Sequence, residues 1–439
     1  MPSAIVNGDQ HMALQRLRRP VLPAALGVAA LTALAGCGGG SSAAGGSGGT
    51  DASFTARGPI TFVTGKDNSN VWAPTIQKWN SAHPNEKVTL KEQTDSADQQ
   101  LDDIVQNMQA QNASYDIVTV DVVWTAQFAA KGWLVPLKGQ FALDTSKLLK
   151  PTVAAATYNG TLYAAPFASD GGLLYYRKDL VPNPPKTLDE MWSMCSIAKA
   201  KGIGCYAGQF SKYEGLTVNA AEAINTFGGK IVDDKGKATV DSPEATKGLQ
   251  MLADHYKNGD IPKEAITYTE EPGRIAFEAG KLLFHRNWPY VYNLAKTEGS
   301  STVKDTFGVA PLPGVTGPGA SSLGGHSEAI TKFSKNKATA FDFLKFIEED
   351  AQQKFFMEQG SLAPVVESIY SDSALVAKYP YLPTLLTSIQ NAVPRPVTPF
   401  YSAVTKSIED NSYAAIKGEK PVAQALKDMS SAITAASAG

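Results

Sequence analysis

Apolar residues along this chain recur in two rhythms: short runs, and longer stretches in which they return every third or fourth position. Pro59 to Val63 is a short run and predicts a strand, with a polar loop from Gly65 to Asn70 behind it. Trp72, Ile76 and Trp79 then return at spacings of four and three, which predicts a helix over 71–82 that His83-Pro84 ends. Lys87 to Glu92 alternates as a strand, Ser96 to Gln111 reads as a helix, and Tyr115 to Val120 is an apolar strand ending at Asp121. Trp124, Phe128 and Trp133 follow on the next predicted helix as core residues, with Trp124 within reach of a cleft. Strands alternating with helices predict an α/β fold built on a mostly parallel sheet wrapped on both faces. In such sheets ligands bind beyond the carboxyl ends of strands, where Asp121 stands.

Pro166 to Leu180, PFASDGGLLYYRKDL, joins an Asp-bearing turn to the apolar run Leu173–Tyr176. We read it as a crossover from one lobe to a second, with Asp170 in the cleft and Gly171-Gly172 supplying the torsional freedom of a hinge. Beyond it, 187–202 predicts a helix, 206–210 a strand, and 213 onward a helical region. Ser242-Pro243 opens a helix through about Asn258; Glu270-Glu271-Pro272 caps another, in which Ile275 to Phe277 face inward and Gly280 ends the run. A strand over 282–290 delivers aromatic residues, a strand over 307–310 returns to the first lobe, and another lies around Ala329-Ile330. Residues 339–359 predict one long amphipathic helix, and 391–401 precedes a helical C-terminal region.

The 439 residues exceed one ordinary core, so two or three domains are expected. A net charge of −2 argues against a nucleic-acid partner, which would demand a basic face. Arg16, Arg18 and Arg19 precede an uncharged run from Val21 to Ala35 and the tetrapeptide Leu34-Ala35-Gly36-Cys37. This order resembles a bacterial lipoprotein signal over 1–36, with Cys37 the lipidated residue, and implies an exported protein anchored on the outer face of the cytoplasmic membrane. The Gly/Ser/Ala-rich stretch that follows predicts a flexible linker over 37–57. In an exported protein Cys195 and Cys205 predict a disulfide between a helix and the next strand, with two reduced buried thiols as the other reading. The five histidines show no metal-ligand spacing and no phosphate-binding loop is present, so neither metal nor cofactor is expected.

Isolated acids, an Arg between prolines and aromatic residues including Trp288 suit a sugar, whose hydroxyl rims take charge-assisted hydrogen bonds and whose C–H patches take an indole face. The same two acids, Asp121 and Asp170, would serve a glycosidase if their separation and protonation allowed it. Six segments bear on this choice: TVDVVWTAQFAAKGWLVPL at 119–137, PFASDGGLLYYRKDL at 166–180, KYEGL at 212–216, TEEPGRIAFEAGKLLFHRNWPY at 269–290, FGVAPLPG at 307–314 and NAVPRPVTPFY at 391–401. With them, the chain from about Pro59 onward resembles the extracellular solute-binding proteins of ABC sugar importers, particularly the trehalose/maltose-binding branch. The resemblance implies a periplasmic-binding-protein-like type II fold, with two lobes of discontinuous segments around a hinged central cleft. The first lobe would comprise 58–167 and 305–349, the second 168–304 and 350–439.

The resemblance further implies Asp121 and Asp170 as hydroxyl acceptors, Trp288 as a stacking platform and Arg395 as a hydroxyl donor. Asn68, Gln99, Trp124, Tyr213, Glu214, Gly325 and His326 complete the implied site. Where the branch commonly has Glu, Arg, Tyr and Trp, this chain has Asn68, Gln99, Ala168 and His326. The implied function is capture of an α-linked disaccharide by a monomeric receptor without enzymatic activity, which hands its ligand to ABC permease subunits. Another oligosaccharide, an amino sugar or a polyol is the alternative ligand.

Overall fold

The computed structural model describes residues 52–438, so the expected signal segment and Cys37 lie outside the described residues. The linker expected over 37–57 ends earlier than its composition suggested. Phe54 stacks on Phe141 with ring centroids 5.6 Å apart, and Arg57 donates to both Glu86 and Asp342. An aromatic ring and a paired guanidinium are enough to hold this segment against the folded body.

Among the described residues eleven strands form two main sheets and one short hairpin. In chain order they are β1 (Ile60–Thr64), β2 (Val88–Glu92), β3 (Ile117–Asp121), the hairpin strands β4 (Thr157–Tyr158) and β5 (Thr161–Leu162), β6 (Ala165–Gly171), β7 (Leu173–Arg177), β8 (Gly204–Ala207), β9 (Leu282–Asn287), β10 (Phe307–Pro311) and β11 (Leu323–Ile330). The first sheet has the order β2-β1-β3-β11-β6, the second β10-β7-β9-β8. Both are mixed rather than mostly parallel. β1 pairs parallel with β2 and β3, but β11 runs antiparallel to β3 and β6, and β7 runs antiparallel to β9 and β10.

The apolar runs form buried strands because both faces of each sheet are covered. Phe62 and Ile117 enter one core while Val63 and Val118, one residue on, enter another across the sheet. In the second sheet Leu173 and Tyr175 alternate in the same way with Leu174 and Tyr176. The helix Trp72–Ala82 buries Trp72, Ile76 and Trp79, the face its spacing predicted, with Trp72 edge-on to Phe62 at 4.5 Å.

β6 ends the first sheet and β7 begins the second, so the chain crosses between them at Gly172, as the sequence suggested. The strand at 307–310 does not return to the first sheet: β10 pairs with β7, and the return is made by the segment that leads into β11. A strand's rhythm shows that it pairs, and its partner is settled elsewhere in the chain.

Two predicted helices are each broken into two. One becomes Leu188–Ser193 and Cys195–Lys201, so Cys195 opens the second piece rather than closing a long one; its disulfide to Cys205 ties that piece to β8, with Cα atoms 5.0 Å apart. The other becomes Lys337–Ile347 and Asp350–Gly360, separated where Glu349 adopts extended torsions. In the helix Glu270–Glu278 Phe277 is buried as expected, whereas Ile275 is 55% exposed.

Candidate functional site

A cavity of about 250 Å³ opens between the two sheets, lined by residues from both. The first sheet contributes the ends of its strands. Asp121 is the last residue of β3 and Asp170 the penultimate residue of β6, while Gly325 and His326 come from β11, paired between those two strands. The loop after β1 adds Asn68, whose Nδ2 donates to Asp95 at 3.1 Å.

The second sheet supplies Trp288, one residue past the end of β9. Tyr213 and Glu214 stand at the start of the helix Glu214–Thr226, and Tyr213 Oη donates to Glu270 at 2.6 Å. Arg395 comes from neither sheet. Its segment reaches the site because Leu323 N donates to Val393 O at 3.0 Å and Val393 N to Ser321 O at 2.8 Å, a short parallel pairing at the entry to β11. Pro394 and Pro396 then hold extended backbone around it.

Arg395 bridges the two sides of the cavity. Its guanidinium donates from Nη2 to Asp121 Oδ1 at 2.9 Å and from Nη1 to Glu214, with only 3% of the residue exposed. Glu214 also accepts from Tyr401 Oη at 2.5 Å and Thr405 Oγ1 at 2.6 Å. Burial alone would lower the pKa of Arg395, but Asp121, Tyr401 and Glu214 hold it above its ordinary value, so it is a permanent cation. Its buried Nε has no hydrogen-bond partner among the described residues.

Asp170 differs. Its carboxylate forms no hydrogen bond among the described residues, and burial lifts its pKa to about 7 against the pull of Arg286. Burial lowers the pKa of the His326 imidazole, which is therefore neutral near pH 7. The lining thus combines a fixed cation, carboxylates and an indole edge, a set that can accept from and donate to several hydroxyls at once.

Nine of the eleven residues expected at the site line this cavity: Asn68, Asp121, Asp170, Tyr213, Glu214, Trp288, Gly325, His326 and Arg395. Gln99 and Trp124 do not. Gln99 faces solvent from the helix Ala97–Gln109, and its neighbour Gln100, about 100° further round, lines the cavity instead. Trp124 is 2% exposed and packs on Phe128 in the core beneath β3. Sequence reasoning missed Glu270, read as a helix cap, and Tyr290, whose Oη donates to Glu271 at 2.6 Å. The adjacency of Glu270-Glu271 to the aromatic run at 288–290 is a fold property, visible once the helix and β9 pack together.

The profile of the bacterial extracellular solute-binding protein family matches residues 75–384. The "Probable ABC transporter-binding protein" of Deinococcus radiodurans is 33% identical over 352 residues, which cover 74% of this chain and 80% of that protein. The mannitol-binding protein of Pseudomonas aeruginosa is 27% identical over 303 residues, 65% of this chain and 68% of that one. T. maritima MalE3, solved with maltose bound, superposes with a TM-score of 0.81 at 32% identity over 85% of this chain and 98% of its own. These proteins transport or bind rather than catalyse, so the glycosidase reading of Asp121 and Asp170 falls away. The chain belongs to the bacterial extracellular solute-binding proteins.

Proposed function

We propose that this protein is a lipid-anchored receptor that captures an α-linked disaccharide of the trehalose/maltose type and delivers it to the permease of an ABC transporter. The observation that carries the reading is the convergence of Asp121, Asp170, Trp288 and Arg395, from four distant parts of the chain, on one cavity between two sheets. Asp121 and Asp170 accept from sugar hydroxyls, the Arg395 guanidinium donates to them, and Trp288 covers a C–H face of a ring. A ligand gripped from both sheets favours the closed arrangement, and a permease that reads that arrangement distinguishes loaded from empty receptor. The protein acts as a monomer held at the outer face of the membrane through Cys37.

Calorimetric titration with trehalose, maltose and sucrose tests the ligand. Saturable one-to-one binding of at least one of them, returned unchanged, is expected; no heat from any of the three overturns the disaccharide assignment.

One observation favours a second reading among the alternatives, in which the ligand is a polyol. His326 and Ala168 are register partners on β11 and β6 and both line the cavity, where the trehalose/maltose branch commonly carries Trp and Tyr. One wall therefore lacks the flat apolar area that a second sugar ring would cover. Support also comes from the mannitol-binding relative. Mannitol in the same titration separates the readings.

A further inference from the structure

Arg286 and Trp288 are two residues apart at the end of β9, so their side chains leave the same face of the strand. The guanidinium carbon of Arg286 lies 3.8 Å from the centroid of the Trp288 ring, covering one of its two faces. Arg286 is itself fully buried, and every arm of its fork is occupied. Nε and Nη2 donate to the two oxygens of Glu222 at 2.8 and 2.5 Å, and Nη1 donates to Gln209 Oε1 at 3.0 Å. Gln209 returns a hydrogen bond from Nε2 to Arg286 O at 3.0 Å.

Glu222 does more than neutralise this cation. Its Oε1 also accepts from Ser322 N at 3.0 Å, on the segment by which the chain re-enters the first sheet. The neighbouring Ser321 Oγ accepts from Gly172 N at 2.6 Å, at the point where the chain leaves that sheet. Both crossings between the sheets therefore meet at one buried ion pair, whose cation is stacked beneath the indole.

We infer that Arg286 is a positioning residue for the ligand platform: its planar guanidinium fixes the plane of Trp288 and, through Glu222, ties that plane to the two strand crossings between the sheets. The inference rests on the reading of Trp288 as the surface that meets the ligand. A lysine at 286 would keep the charge opposite Glu222 but has no plane to stack and no bidentate fork. Stability and platform geometry are thus separable.

The test compares wild type with Arg286→Lys, and with Glu222→Gln should the first variant fail to fold. The indole N–H resonance of Trp288, identified by its disappearance in Trp288→Phe, is recorded without ligand, and the Kd for maltose is measured by calorimetry. A shifted or broadened resonance together with at least a tenfold rise in Kd, in a variant that still unfolds cooperatively, is expected. An unmoved resonance overturns the inference, and so does a moved resonance with unchanged Kd. Should wild type bind no maltose, the Kd is read with trehalose or sucrose instead; should it bind none of the three, the ligand assignment above fails on its own account and the indole resonance still decides the role of Arg286.

Discussion

Arg395 shows how one side chain can serve a ligand and the fold at once. It is buried between Asp121 and Glu214, so Arg395→Ala leaves two carboxylates unpaired in a site of low polarity. Breaking a buried pair in this way costs about 3–5 kcal/mol. We expect denaturant titration to show a loss of that order, which makes Arg395→Ala a poor probe of binding. Arg395→Lys should keep the fold and raise the Kd for the captured sugar at least tenfold, as calorimetry would read.

Asp170 sets a pH dependence. Its folded pKa is about 7, raised by burial, whereas a carboxyl in the unfolded chain titrates near about 4. Between those values the folded chain keeps a proton that the unfolded chain has released. Its contribution to stability therefore declines as pH rises from about 4 to about 7 and is flat above. Affinity runs the other way, since the ionised form accepts hydroxyl protons best. Calorimetry between pH 5.5 and 8.5 should show binding that strengthens through about pH 7 in wild type and a flatter, weaker profile in Asp170→Asn.

Among elements, the junction of β6 and β7 carries the clearest consequence. Gly171 and Gly172 looked like torsional hinges, yet neither is among the positive-φ glycines of the described residues. Space is what requires them. A Cβ on Gly172 would lie 2.7 Å from Arg286 Nη2 and 2.8 Å from Glu222 Oε1, and one on Gly171 would lie 2.5 Å from Ser388 Oγ. Gly172→Ala should therefore destabilise by about 1–3 kcal/mol, the range of overpacked cores, and weaken ligand binding through the displaced Arg286. Thermal unfolding and calorimetry on the same sample would check both. The disulfide behaves oppositely. Cys195 and Cys205 lie outside the cavity lining, so the Cys195→Ala, Cys205→Ala variant should lose about 2–4 kcal/mol of stability with an unchanged Kd.

For the whole molecule, a ligand that binds only the folded chain adds about 2.7 kcal/mol at one hundred times its Kd, so the cognate solute should raise Tm in wild type and fail to do so in Trp288→Ala. Much of this architecture was legible in the chain itself. The strands at 60–64 and 117–121, the buried stripe Trp72, Ile76 and Trp79, and the acids at strand ends follow from periodicities of two and 3.6 that the backbone imposes within a few residues. The partner of β10, the exchange of Gln100 for Gln99, the withdrawal of Trp124 into the core and the capture of Arg395 by Asp121 and Glu214 were not legible there. Each depends on where segments more than a hundred residues apart come to rest, or on the rotation of a helix about its own axis once it is packed. Local rhythm says which residues are buried; only the closed chain decides what they are buried against.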